Sequence, residues 1–212
     1  MTSSFFHHHQ QSHLCRVLKV TRYFFIGSVL FLTGCAGPPL RVYTLNTPAH
    51  HEAVQPSLSP HAAIISISHV IIPDYLDTQD ILLRHGTEIH RNPSSRWASR
   101  LSIGITNLIT NEIASFHPSE LVTDQTFIGN PTLQIQINIS RFDVTSHGHV
   151  LLDANWFILP SNTSKPVIRN QIQIRNTGSV ATPADIAILM RKTVITLADK
   201  INSSLPTTSV SY

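Results

Sequence analysis

Cys35 is the residue of this sequence best suited to covalent modification, because its thiol stands alone at the end of an apolar segment. That segment, residues 23–32, is much shorter than the roughly 20 residues that cross a bilayer. A fragment of a transmembrane helix or a core strand is the alternative, but Gly34 and Gly37 end the apolar run too early for a membrane span. The segment follows three positive charges, which predicts an export signal over residues 1–34. These charges are Arg16, Lys19 and Arg22.

The stretch Leu32-Thr33-Gly34-Cys35 closely resembles the processing site of bacterial lipoprotein signals. In that signal, a leucine three residues before the cysteine and a small residue directly before it let the peptidase reach the scissile bond. The resemblance implies cleavage between Gly34 and Cys35, an S-diacylglycerol thioether on Cys35 and an acyl group on the new amino terminus. Several acyl chains hold a protein on a membrane far more firmly than one, because each buried methylene contributes roughly 0.8 kcal/mol.

Ala36 bears on which membrane would hold the protein. In the familiar sorting rule for such signals, an aspartate after the cysteine retains the lipoprotein in the inner membrane. Alanine stands at this position instead. The resemblance therefore implies a lipid anchor at the periplasmic face of the outer membrane.

Removal of the signal changes the charge of what remains. The whole chain has 15 lysines and arginines against 12 acids, but three of the bases and none of the acids lie in the signal, which leaves 12 of each. A formally neutral protein gives no reason to expect nucleic-acid binding. Cys15 leaves with the signal and Cys35 is consumed by lipid, so stability has to come from packing rather than from a disulfide.

Four arginines are close together in a stretch whose only acid is Glu88, and they are candidates for contact with an acidic partner surface or with lipid phosphates. A solvated basic face beside a helix is the alternative. Tyr75 and Leu76 precede them in a segment, 74–83, that mixes apolar residues with three acids. This mixture suits a protein contact rimmed by charge, although packing into the core explains the apolar residues equally well. The four arginines are Arg84, Arg91, Arg96 and Arg100.

Other kinds of chemistry find little support in the sequence. It contains no Gly-x-Ser-x-Gly, no His-Glu-x-x-His and no glycine-rich phosphate loop. The pairs His147/His149 and His50/His51 lack a cysteine or a close carboxylate at ligand spacing. We therefore expect no catalytic residues, no metal site and no cofactor.

Hydrophobic periodicity predicts an α+β fold, with a mostly antiparallel sheet and two long amphipathic helices packed on it. The strands are predicted at 40–45, at 62–72, in a hairpin at 81–90, and in a meander formed by 132–140, 150–159 and 167–175. The residues 46–61 contain three prolines and favour an extended linker. We therefore divide the chain into the signal at 1–34, the lipidated cysteine and linker at 35–61, and one domain at 62–212.

Two helices are predicted from their start signals. The first begins near Arg96, with Ser94 or Ser95 as its N-cap, so that Trp97 lies in its first turn. The second begins at Thr182, which is followed by proline at the first helical position and by Asp185 in the first turn. Trp97 and Trp156 are interpreted as core residues.

The order of these elements is similar to that of the ABC-type transport auxiliary lipoprotein family. The residues that carry the resemblance are Tyr43-Thr44-Leu45, the stretch 70–77 running on to Ile81 and Arg84, Trp97 with Leu101, Phe142, and the stretch 152–156. Members are implied to sit at the periplasmic face of the outer membrane. They are also implied to work with MCE-domain proteins, which form lipid-conducting tunnels, and with the associated ABC or permease components.

The predicted function follows from the signal and the resemblance together. It is a non-enzymatic, lipid-anchored periplasmic component of an intermembrane lipid transport system that supports outer-membrane integrity and is arranged as a homo-oligomeric ring. The alternative is an envelope assembly or cell-wall-associated lipoprotein that binds another periplasmic ligand.

Overall fold

The computed structural model describes residues 39–46, 58–125 and 130–206. The chain divides into two units, 1–39 and 40–212, and the strands and helices given below belong to the second. Gly34, Cys35 and Ala36 lie outside the described residues, as does the predicted export signal. Within the described ranges, neither helix combines the length and apolar character that a membrane span requires.

Eight strands and two helices form in the described ranges. In chain order they are β1 (Arg41–Tyr43), β2 (Ile64–Ile67), β3 (Asp80–His85), β4 (Glu88–Trp97), α1 (Leu101–Phe116), β5 (Leu121–Thr123), β6 (Leu133–Val144), β7 (His149–Pro160), β8 (Ile168–Thr177) and α2 (Pro183–Ser203).

The strands divide between two sheets. One has three strands in the order β1-β4-β3, and the other has five in the order β5-β2-β6-β7-β8. The β3–β4, β6–β7 and β7–β8 pairs are antiparallel, whereas β1 pairs parallel with β4 and β2 pairs parallel with both β5 and β6. The predicted α+β class with mostly antiparallel strands and two helices is confirmed, although the strands form two sheets rather than one.

The meander of β6, β7 and β8 forms as its alternation predicts. Leu133, Ile135, Ile137 and Ile139 are buried on the face that the helices cover. The glutamines and asparagine between them lie on the opposite face. The register shifts between Ile139 and Arg141, and this bulge places Phe142 in the core. One face of the sheet is therefore core, and the other is polar.

The second strand is shorter than its sequence predicts. We expected it over 62–72, but regular pairing ends at Ile67 and Ile71 makes only an isolated bridge to Asn138. The cause is tertiary, because the backbone N–H of Val70 donates to Thr106 Oγ1 on α1 at 3.0 Å instead of to a strand. His69, which the alternation placed beside Ile65 and Ile67, is exposed.

The start of α1 corrects the prediction for the first helix. Ser94 and Ser95 lie within β4, and Trp97 is the last residue of that strand. The helix begins at Leu101 after Arg100, whose side chain makes no capping bond. Its first turn is capped from a distance, since Asp77 Oδ1 accepts bonds from the hydroxyl and the backbone N–H of Ser102 at 2.6 and 3.4 Å.

The start of α2 agrees with the prediction. Thr182 Oγ1 accepts from the backbone N–H of Asp185 at 3.2 Å, and Asp185 Oδ2 accepts from that of Thr182 at 3.0 Å, so the two residues cap each other. The predicted stripe faces the core and is buried. It consists of Ile186, Met190, Val194, Leu197 and Ile201.

Candidate partner-contact site

The β3–β4 hairpin and the loop before it carry the residues that the sequence singled out for partner contact. Arg84 is in β3, Arg91 and Arg96 are in β4, Arg100 precedes α1, and Tyr75 and Leu76 are in the loop before β3. Tyr75 is partly exposed, whereas Leu76 is buried in the core. The sequence left core packing and protein contact open for this segment. Leu76 packs in the core, whereas Tyr75 is available at the surface.

Asp143 on β6 gathers the first group of charges. Its side chain is only 7% exposed, and the Nε atoms of Arg84 and Arg141 each lie 2.8 Å from one of its oxygens. The Tyr75 hydroxyl donates to Oδ1 at 3.2 Å. The N–H bond of Arg84 Nε is not directed at the Asp143 oxygen. The contact between Arg84 and Asp143 is therefore an ion pair without a linear hydrogen bond. A carboxylate this buried needs such partners, because an unpaired charge there would be strongly destabilising.

The same group shifts two pKa values. The interaction with the Asp143 carboxylate raises the pKa of Arg84 above its ordinary value. Burial raises the pKa of Tyr75, and the negative charge of Asp143 adds to that effect. Arg84 Nη2 also donates to the Tyr75 hydroxyl at 3.3 Å, and its guanidinium carbon lies 5.7 Å from the centre of the tyrosine ring. Arg84 and Tyr75 are therefore brought together and held as one unit.

Asp80 gathers the second group. Arg91 Nε lies 3.2 Å from its Oδ2, and Arg96 Nε lies 3.8 Å from its Oδ1. The two arginine side chains are 73% and 53% exposed, whereas Asp80 is 13% exposed. Most of the guanidinium surface therefore remains open to solvent while the carboxylate is covered.

Arg100 stands apart on a third carboxylate. Its Nη2 lies 2.9 Å from Asp77 Oδ2, and its Nε and Nη2 also donate to the backbone carbonyl of Asp77. Asp77 thus holds Arg100 and caps α1 at the same time. Each of the four predicted arginines lies beside an aspartate of the same fold, with Arg91 and Arg96 sharing Asp80, and this pairing was not predicted from the sequence. The carboxylates of Asp77 and Asp80 were visible in 74–83, but nothing local links Asp143 to Arg84.

Ser102, His69 and Asp77 come close together, but not in the order of a nucleophilic triad. A nucleophilic serine needs a histidine between it and the carboxylate. Here the serine lies in the middle, with its Oγ donating to Asp77 at 2.6 Å and lying 3.1 Å from His69 Nε2. Ser102 is also 2% exposed. These contacts stabilise the helix start and leave no free hydroxyl for attack.

The histidine pairs do not gather ligands where the structure describes them. Across residues 39–46, 58–125 and 130–206, no three histidine, cysteine, aspartate or glutamate side chains lie close enough to hold a metal ion. His147 and His149 are in and beside the turn between β6 and β7, and His50/His51 lie outside the described residues. The proposed lipid-attachment residue Cys35 and the cleavage residue Gly34 lie outside them too.

Two sheets, mostly antiparallel strands and two helices define an α+β fold. The chain belongs to the ABC-type transport auxiliary lipoprotein component family, whose sequence model matches residues 43–202. The family resemblance of the sequence is thereby confirmed, and the protein is an auxiliary lipoprotein component of ABC-type transport. No curated protein matches the sequence.

Solved structures share the fold at low sequence identity. The crystal structure of an uncharacterized protein is 14% identical, with a TM-score of 0.65, and the match covers 80% of this chain and 100% of the other. Protein XCC0632 from Xanthomonas campestris is 13% identical, with a TM-score of 0.55 and coverage of 78% and 90%. At these identities the likeness shows the fold alone.

Proposed function

We propose that this protein is a non-enzymatic, lipid-anchored periplasmic component of an intermembrane lipid transport system of the MCE/ABC type, and that it supports outer-membrane integrity. The family match over residues 43–202 carries the proposal, because it makes the protein an auxiliary lipoprotein of transport. The processing site that ends at Cys35 supplies the anchor, and Ala36 supports the outer membrane as its location.

A non-catalytic role is supported by the polar groups of the described residues. Ser102, the one serine of the described residues that approaches both a histidine and an aspartate, is buried, and its hydroxyl donates a hydrogen bond to the carboxylate. The arginines that could stabilise a developing negative charge already neutralise aspartates. The polar residues of this region therefore hold the fold and its surface together.

The partner contact is proposed at the exposed arginines of β4 and the start of α1. A guanidinium has five N–H donors, and Arg91, Arg96 and Arg100 each use only some of them on Asp80 or Asp77. The remaining donors suit carboxylates of an acidic partner. Tyr75 adds a partly exposed aromatic ring, while Leu76 and Arg84 hold the loop and strand beneath it. The partner is an MCE-domain tunnel protein with its ABC or permease subunits.

Co-purification tests this proposal. The acylated protein, extracted with detergent from its own membrane, should recover an MCE-domain protein or an ABC-transporter subunit. The variant R91Q/R96Q/R100Q should recover much less of it. The matched control K165Q/R169Q/R175Q removes the same charge from exposed side chains that have no carboxylate within ion-pair distance among the described residues, and it should recover as much as the wild type. Equal losses in both variants, or no transport subunit with the wild type, would contradict the proposal.

A homo-oligomeric ring is part of the same proposal. Light scattering of the detergent-extracted protein should give a closed multiple of the protomer mass at micromolar concentration. A monomer under conditions that preserve the partner complex would remove the ring from the proposal and leave the partner contact standing.

One observation favours the alternative function, a cell-wall-associated lipoprotein. The polar face of the five-stranded sheet has a depression of about 380 Å³ lined by side chains of the kind that hydrogen-bond glycans, including Ser140, Asp153, Asn155, Gln171 and Gln173. Co-sedimentation with purified peptidoglycan that is lost in N155A/Q171A would support this function. A protein that stays in solution under those conditions would exclude it.

A further inference from the structure

We propose that the strip formed by Leu40, Arg41 and Val42 at the edge of the three-stranded sheet lies against the lipid headgroups. The strip would hold the folded unit in one orientation on the membrane surface. This inference rests on the proposed acylation of Cys35 and deepens it, because it names the surface that the bilayer covers.

The chain is firmly bound to the fold from β1 onward. β1 pairs parallel with β4, and the backbone N–H of Ala98 donates to the Tyr43 carbonyl at 2.7 Å. Leu45 is 2% exposed, and its carbonyl accepts from Arg191 Nε on α2 at 3.0 Å. These residues are part of the core and cannot pull away to lengthen a tether. A strand was predicted at 40–45, and β1 forms within that range.

The remaining tether is short. Five residue steps separate Cys35 from Leu40. A fully extended chain spans at most about 3.6 Å per residue, so Leu40, the residue before β1, lies within about 18 Å of the acylated cysteine. Because the acyl chains fix that cysteine at the bilayer surface, Leu40 cannot move farther than this from the headgroups.

The strip has the chemistry of a surface that meets a bilayer. Leu40 is 54% exposed and Val42 is 60% exposed, and alternate residues of a strand point to the same side. Arg41 lies between them, points to the other side of the strand and is also exposed, so side chains on both sides of this sheet edge are free to meet the bilayer. Val42 is the register partner of Arg96, near the C-terminal end of β4. Branched apolar side chains suit the boundary between headgroups and acyl chains, and guanidinium groups suit lipid phosphates.

The position of β1 at the edge of the sheet is consistent with contact between this strand and the bilayer. β1 ends the order β1-β4-β3, and no further strand of the described residues pairs with its free side. An exposed apolar edge is a template for pairing with another chain unless something covers it. The bilayer is the covering surface that the short tether places there.

The end of β4 that pairs with β1 lies far from the turn of the β3–β4 hairpin. Arg96 lies eight residues beyond Glu88 along β4, a distance of about 26 Å at the rise of a strand. The hairpin tip at that far end contacts the turn between β6 and β7, since His85 Nδ1 lies 3.2 Å from Ser146 Oγ. A probe at His147, in that turn, therefore reports on a place well away from β1.

Quenching by labelled lipids tests the inference. The mature chain has no thiol once Cys35 is acylated, so R41C and H147C each carry one site for a fluorophore. The acylated variants are reconstituted in vesicles of phosphatidylethanolamine and phosphatidylglycerol that contain headgroup spin-labelled lipid. We expect the label at position 41 to lose most of its fluorescence and the label at position 147 to lose little.

Two further variants separate the surface from the tether. L40D/V42D in the R41C background changes only exposed side chains, so it should keep the fold and reduce the quenching at position 41. Insertion of a Gly-Ser repeat after Pro39 should reduce it further. Equal quenching at positions 41 and 147, or quenching unaffected by both changes, would overturn the inference while the anchor stands. A preparation whose mass shows a free Cys35 thiol would overturn the anchor and the inference together.

Discussion

The Asp143 cluster gives the sharpest stability prediction. Replacing Asp143 with alanine removes a carboxylate that is 7% exposed and leaves two arginines and a tyrosine hydroxyl without their acceptor. Arg84 is 24% exposed and forms the stronger pair, whereas Arg141 is 47% exposed and largely screened by solvent. The variant D143A therefore tests whether the link between β3 and β6 depends on this one side chain.

The magnitude follows from these contacts. The ion pair of Arg84, whose side chain is 24% exposed, contributes about 1.5 kcal/mol, between the values for a solvent-exposed pair and a fully buried one. A solvent-screened pair such as that of Arg141 contributes about 0.5 kcal/mol. The Tyr75 bond adds about 1 kcal/mol. We expect D143A to lower the free energy of unfolding by about 3 kcal/mol, which corresponds to a fall in Tm of about 6–12 °C for a domain of this size.

The assay is urea unfolding followed by circular dichroism, with a double-mutant cycle that adds R84A. The control D199A removes an exposed carboxylate from α2 and should change stability by no more than about 0.5 kcal/mol. In D143A the pKa of Tyr75 should also fall, because the negative charge that helps to raise it is gone. A loss in D143A no larger than in D199A, or additive effects of D143A and R84A, would refute the reasoning.

Four further predictions concern backbone and caps. T182A should destabilise the protein by about 1 kcal/mol in the same urea assay, because the α2 cap is lost. The hydrogen bonds from Thr182 lower the pKa of Asp185, so the stability that this carboxylate adds is present above its ordinary value of 3.8 and is lost as the pH falls through the lower folded value. D185N should therefore flatten the acid side of the stability profile, and an unchanged profile would contradict this. Gly148 and Gly86 both have positive φ, but a Cβ at Gly148 would collide with the backbone carbonyl of the loop after β8 while one at Gly86 meets open space. G148A should thus lower Tm clearly more than G86A, and equal shifts would show that the collision is relieved. D77A should shorten α1 at its start, and unchanged hydrogen exchange of the first helical turn would count against the distant cap.

Elements whose signals are local were predictable from the sequence. The meander has a two-residue alternation on each strand, and α2 carries its capping pair within four residues of chain. The start of α1 was not predictable, because its capping carboxylate belongs to Asp77. The whole β3–β4 hairpin lies between Asp77 and Ser102 in the sequence. Local patterns placed Ser94 or Ser95 as the cap, but both lie within strand β4, and Ser95 pairs with Arg41 of β1.

The sequence predicted which residues form the candidate site, but not how their charges pair. The cluster of arginines is plain in the sequence, and so are the acids of 74–83. The partner of Arg84 comes from β6, and Asp143 lies beside it where the bridge between Arg84 and Thr145 joins the two sheets. The parallel pairing of β2 with β6 could not be predicted from the sequence either, because no hairpin links those two strands.

The anchor of the whole proposal is tested most directly by the mass of the N-terminal peptide of the protein purified from its own membrane. We expect a chain that begins at Cys35, with a diacylglyceryl group on the sulfur and an acyl group on the amino nitrogen. A free Cys35 thiol, or a chain that still begins at Met1, would contradict the lipid anchor.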